Sequence, residues 1–140
     1  MAGVAYIIWP QFANAPQIDD PSATERVSEQ KNVPVDEQFA TLITYTDGGY
    51  SPQTVSIKKG QTVRFVNNAE RQDTWPASAI HPTHSIYPQK TDSDCLGSSF
   101  DPCHGLKPGE FWEFTFNEVG EWGFHDHLHP SKFGKILVTE

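Results

Sequence analysis

From residue 41 onward the apolar residues return at every second position, in short runs cut off by glycine, proline or polar turns. Thr41-Leu42-Ile43-Thr44-Tyr45, Thr54-Val55-Ser56-Ile57 and Thr62-Val63-Arg64-Phe65-Val66 all read this way, and Lys58-Lys59-Gly60-Gln61 turns the chain between the second and the third. Side chains two apart on extended backbone share a face, so Val55 with Ile57, and Val63 with Phe65, each offer one apolar side to a core. A long excursion follows, from Asn67 to about Gly109, in which only residues 83–87 carry a strand pattern. The alternation resumes over residues 111–116, where Trp112, Phe114 and Phe116 share a face, and residues 120–127 and 135–139 close the chain. Short alternating segments separated by turn signals predict an all-β domain. We expect a small sandwich or barrel of six to eight strands, paired antiparallel.

A chain of 140 residues suits one such domain with a short appendage. Residues 1–10 are apolar but too few to span a bilayer, which takes about 20, and they lack the basic start of a signal peptide. They read as a partial membrane anchor or signal remnant, with Tyr6 and Trp9 at the interface; a short buried strand is the alternative. Residues 11–38 are polar, proline-bearing and rich in Asp, Glu, Ser and Gln, which predicts a flexible tether. That leaves residues 39–140 for the domain. With 10 Lys+Arg against 18 Asp+Glu the formal charge is −8, which excludes a phosphate-neutralising basic surface and hence nucleic acid as a partner. An acidic surface instead suits solubility or a basic protein partner.

The two cysteines, Cys95 and Cys103, fall in a polar segment containing Gly97 and Pro102. Free thiols in such an exposed loop would be reactive, whereas a disulfide would tie it down, so we expect the disulfide and an oxidising, extracytoplasmic setting. A zinc knuckle using Cys95, Cys103 and His104 is the rival, and its spacing is unusual for structural zinc.

Just before the last strand, Phe124-His125-Asp126-His127-Leu128-His129-Pro130 sets three imidazoles and a carboxylate within five positions. On extended chain His125 and His127 point to one side and can present two nitrogens to one ion. Strand parity leaves two arrangements open. If the aromatics face the core, Asp126 sits at its end with His84 and His129, while His125 and His127 face outward with His81. If the strand bulges before Pro130, His125 and His127 swing onto His84.

These residues carry a resemblance. Residues 51–68, a strand, the Lys58-Lys59-Gly60-Gln61 turn and a strand ending in Asn67-Asn68, look like the opening of a cupredoxin. Lys107-Pro108-Gly109-Glu110 with its aromatic strand, then Gly120-Glu121-Trp122, the histidine cluster and Gly134-Lys135-Ile136-Leu137-Val138, resemble the C-terminal half of that fold. The likeness runs from about Thr41 to Glu140. It is strongest to single-domain cupredoxin-like proteins whose pattern is seen here as Trp75-Pro76-Ala77-Ser78, His81-Pro82-Thr83-His84 and His125-Asp126-His127. The resemblance implies a Greek-key sandwich that binds copper. Yet Asp126 falls near the place of the blue-copper thiolate and His129 near that of its second histidine, and no methionine exists beyond Met1. Alternatively, residues 124–128 resemble the His-Cys-His motif of multicopper oxidases with Asp126 in place of cysteine. A strongly coloured thiolate site is therefore not expected.

We take His81, His84, His125 and His127 as the metal ligands, with Asp126 and His129 as alternates or as groups that orient an imidazole through its other N–H. Imidazoles favour copper or zinc over magnesium or calcium, and the resemblance favours copper, with zinc the alternative. The expected function is an extracytoplasmic, membrane-tethered copper protein for copper handling or electron transfer, monomeric, meeting a redox or copper-delivery partner. A copper- or zinc-dependent redox or hydrolytic enzyme is the alternative. No Ser-His-Asp or Cys-His nucleophile is evident.

Overall fold

The computed structural model describes residues 39–140; the predicted anchor and tether of residues 1–38 lie outside them. Eight strands form, and no helix does, among the described residues: β1 (Thr41–Thr46), β2 (Gly49–Ser51), β3 (Thr54–Lys58), β4 (Thr62–Asn67), β5 (Pro76–Ser78), β6 (Phe111–Thr115), β7 (Gly120–Asp126) and β8 (Phe133–Thr139). They make two four-stranded sheets, in the orders β2-β1-β4-β6 and β3-β8-β7-β5. The all-β expectation holds, and the alternation gives the right faces: Val55, Ile57, Val63 and Phe65 are all buried.

The pairing differs from the antiparallel expectation. β1 runs parallel to β4 and β3 runs parallel to β8, so both sheets are mixed. A two-residue period fixes which face a side chain takes and says nothing about the neighbour's direction, which the chain's crossings between sheets decide. The one strand expected inside the excursion is also displaced. Residues 83–87 form turns and bends, while the strand is β5, which opens on Pro76 at the sheet edge. Three residues with a leading proline give too little alternation to read, although the first position of an edge strand is where proline is tolerated.

The core is aromatic. Tyr45, Tyr50, Phe65, Phe116 and Phe124 lie between the sheets with Ile43, Val63 and Ile136. Phe100, from the long excursion, inserts among them with its ring centre 4.9 Å from Phe116 and 5.1 Å from Phe114. The excursion is thereby packed as part of the sandwich. Phe100→Ala should cost about 3–5 kcal/mol, the usual penalty for emptying a buried aromatic position, and the midpoint of urea unfolding measures it; an unchanged midpoint would mean the excursion packs independently of the sheets.

Candidate metal centre

β7 carries the site because its alternation continues to its end. Phe124 and Asp126 turn inward, so His125 must turn outward. β5 lies alongside, with Ala77 opposite His125 and Pro76 opposite Asp126, and on the other side Phe133 of β8 faces His125. Beyond Asp126 the ladder runs on by one hydrogen bond, His127 N–H to the Trp75 carbonyl at 2.8 Å. That bond keeps His127 on the same outer face as His125.

Past β5 the chain folds back over this face. Ala79 N–H donates to the Gly123 carbonyl at 2.9 Å, and His84 N–H closes a single turn onto the Ile80 carbonyl at 2.7 Å. His81 and His84 are thus presented three apart on one turn. All four imidazoles converge: ring centres lie 4.9 Å apart for His84 and His125, 4.8 Å for His84 and His127, and 5.2 to 5.9 Å from His81 to each of the other three. One nitrogen from each falls within 4.8 Å of all the others.

His84 and His125 are buried, His127 is half-buried and His81 is exposed. His84 Nε2, His125 Nε2 and His127 Nδ1 are buried without a hydrogen-bond partner among the described residues. Polar atoms are rarely buried unpaired, since each costs about 1–3 kcal/mol; three in one cluster have the arrangement that a metal ion would satisfy. The tautomer of His84 is set by its Nδ1–H, which donates to the Ser78 carbonyl at 3.2 Å and leaves the Nε2 lone pair free. The residues present therefore fit a late first-row ion held by imidazole alone.

His84 and His125 resist protonation. Burial, followed by the neighbouring His84, His81 and His127, holds His125 down to about 4 against a small opposing pull from Asp126. Burial and then His127 also lower His84. An unfolded histidine titrates near about 6.5, so between about pH 4 and 6.5 the unfolded chain binds more protons than the folded one and stability rises with pH. The metal-free chain should show a melting temperature that climbs across that window and levels off above it; a flat profile would mean these imidazoles are solvated.

Asp126 and His129 are brought together elsewhere. Asp126 is fully buried on the inner face of β7, its Oδ1 accepting the backbone N–H of Trp75 at 2.9 Å and of Leu128 at 3.0 Å, while Oδ2 accepts His129 Nδ1–H at 2.8 Å. The Tyr45 hydroxyl lies 3.4 Å from the same His129 nitrogen. Burial first, then the Asp126 carboxylate, hold the Tyr45 phenol well above its ordinary value. Neither parity arrangement is reproduced whole. The aromatics do face the core and His125 and His127 do face outward with His81, but His84 joins them rather than Asp126, and Ile86 is exposed rather than turned inward. The reason is the single turn of residues 80–84, which puts His84 outside where a strand would have put it inside.

The Cys95–Cys103 disulfide is formed, with the Cα atoms 5.5 Å apart, which removes the zinc knuckle; His104 Nδ1–H donates instead to the Pro102 carbonyl at 2.7 Å. Two further residues, Trp75 and Asp101, support the cluster. Trp75 packs against His127 with ring centres 4.9 Å apart and planes inclined at 59°, and its Nε1–H donates to Asp101 Oδ1 at 2.8 Å. The Trp75-Pro76-Ala77-Ser78 motif was the available signal for Trp75; nothing in the sequence singles out Asp101.

No family model matches the chain. Over 130 residues it is 28% identical to the chloroplastic plastocyanin of Chlamydomonas reinhardtii, a match covering 84% of each sequence. Among solved structures, a purple cupredoxin from Nitrosopumilus maritimus superposes with a TM-score of 0.55 at 21% identity, over 71% of this chain and all of that one. A reduced amicyanin variant gives a TM-score of 0.56 at 18% identity, over 76% of this chain and 87% of the other. The Cu-containing nitrite reductase from Thermus scotoductus SA-01 gives 0.55 at 20% identity over 73% of this chain, which spans only 23% of that enzyme. With two mixed four-stranded sheets, an aromatic core and these neighbours, the chain carries a cupredoxin-like domain.

Proposed function

We propose that this chain is an extracytoplasmic copper protein whose ion is held by His81, His84, His125 and His127 without a thiolate, and that it handles copper or passes electrons. The single observation that carries the reading is the convergence of three buried, unpartnered imidazole nitrogens in a cluster of four histidines. Copper rather than zinc is supported by the likeness to a plastocyanin and by the affinity order of nitrogen sites, in which Cu(II) stands above Zn(II). The disulfide supports an oxidising compartment. In this reading the chain works as a monomer and gives or takes copper or electrons at a protein partner. Elemental analysis of untagged protein should find one copper per chain, and electron paramagnetic resonance should show a type 2 rather than a thiolate signal; absence of stoichiometric metal would end the proposal.

A second reading, a copper- or zinc-dependent enzyme, has one observation in its favour. A groove of about 410 Å³ lined by Ile80, His81, His125, Pro130 and Phe133 opens beside the exposed imidazole of His81, in the size range of small-molecule sites. Azide binding to the copper form, seen as a shift of its spectrum, would favour the enzyme; no shift would favour transfer or storage.

A further inference from the structure

The segment closed by Cys95 and Cys103 touches the histidine cluster along three routes. Gly97 lies flat on the backbone of the 80–84 turn, where a Cβ would run into the Thr83 carbonyl oxygen and come within 2.7 Å of the His84 carbonyl. His84 itself has φ of +52°, a left-handed conformation that a residue with a Cβ keeps only where its surroundings impose it. The Phe100 carbonyl accepts Ser78 N–H at 2.9 Å, and the Ser78 carbonyl in turn holds His84 Nδ1–H. Asp101 Oδ1 receives both Cys103 N–H at 2.7 Å and Trp75 Nε1–H at 2.8 Å, and Trp75 is the ring packed against His127. Two of the four imidazoles are therefore positioned by one short loop, and both cysteines that close it are exposed.

We infer that the Cys95–Cys103 disulfide is a redox-labile clamp on the His84 and His127 side of the metal centre, opened by a dithiol partner to release the ion. The inference rests on the proposed metal site and names its regulation. A thiolate of the partner attacks one sulfur of the disulfide, forming a mixed disulfide and expelling the other cysteine as thiolate. The partner's second thiol then attacks its own sulfur in the mixed bond, leaving an oxidised partner and two reduced cysteines here. Two electrons and two protons pass from the partner to Cys95 and Cys103. Freed of its closure but still pinned by Phe100 in the core, the segment holds Gly97 against His84 and Asp101 against Trp75 less tightly. Groups that orient metal-binding histidines are each worth about 10- to 100-fold in affinity.

The test compares the full chain with its Cys95→Ser/Cys103→Ser form, titrating Cu(II) against a chelator of known affinity and recording near-ultraviolet circular dichroism in parallel. The inference expects about 10- to 100-fold weaker copper binding with the aromatic dichroism retained. It also expects Gly97→Ala, with the disulfide intact, to weaken binding in the same direction. Treating the folded, copper-loaded native chain with a protein dithiol and then iodoacetamide should label both cysteines. Equal affinities, loss of the aromatic dichroism in the serine form, or a disulfide that the dithiol leaves unlabelled would each overturn the clamp. Failure of the native, oxidised chain to take up copper would instead overturn the metal site itself, so the two failures are distinguishable.

Discussion

Replacing His125 and His127 together with alanine should take copper uptake from one ion per chain to none, while the metal-free variant stays folded and melts close to the native chain. Both parts follow from burial. His125 Nε2 and His127 Nδ1 have no partner among the described residues, so the metal-free fold bears a desolvation cost of about 1–3 kcal/mol for each. Alanine removes that cost and leaves a void in exchange, and the two effects oppose each other. Most core histidines give the reverse pattern, stability lost and no ligand affected. Elemental analysis with a thermal melt checks both parts. Stoichiometric copper retained by the variant would move the site to Asp126 and His129.

The second large effect is on Asp126, and it falls on stability. Asp126→Ala leaves the backbone N–H groups of Trp75 and Leu128 without their acceptor at the end of β7 and strips His129 of its partner. Two part-buried donors at about 1–3 kcal/mol each put the loss at about 2–6 kcal/mol at most, towards the lower end because Leu128 is exposed; the half-exposed His129 adds little, since water can take the place of its partner. Asp126→Asn keeps an acceptor for the backbone and should lose much less. Both variants should still bind one copper, because Asp126 points to the inner face of β7 and the cluster to the outer. A denaturant midpoint unchanged in Asp126→Ala would show that the carboxylate is not what fastens the loop after β7.

That division of labour was half legible in the sequence. The period of two in Trp122, Phe124 and Asp126 against His125 and His127 does separate the faces of β7, and the structure keeps the separation. What it could not supply was the partner of His84. Residues 83–87 alternate like a strand, yet Ile80-His81-Pro82-Thr83-His84 closes as one turn, held by the Ile80 carbonyl and by Gly97 pressed against it from the disulfide loop. That contact joins positions thirteen apart through a backbone approach only a glycine allows, and no local pattern encodes it. Parallel pairing of β1 with β4 and of β3 with β8 was hidden for a similar reason, because direction is decided by how the chain crosses between sheets. The four histidines themselves were readable because ligand residues at short spacing on strand and turn stand out against a chain otherwise poor in histidine. The Asp101–Trp75–His127 chain was not, since a single aspartate in a polar loop resembles any other solvated carboxylate.

Asp126 and His129 give the resemblance to cupredoxins its physical content. The position where the resemblance places a thiolate is filled by a buried carboxylate already committed to three hydrogen bonds, and Lys132, whose Nζ donates to the Asp47 carbonyl, stands over the Tyr45 ring nearby. Three of its roughly four acceptor sites are taken, and it faces the inside of the sandwich, away from the imidazole cluster. The open valences lie on the other side of the strand, among imidazoles.

X-ray absorption at the copper edge of the loaded, full chain tests that claim most directly. The account predicts a first shell made of nitrogen or oxygen alone, with the outer-shell scattering of imidazole rings and loss of that scattering in the His125→Ala/His127→Ala form. A sulfur scatterer at bonding distance, or imidazole scattering unchanged in that variant, would contradict it.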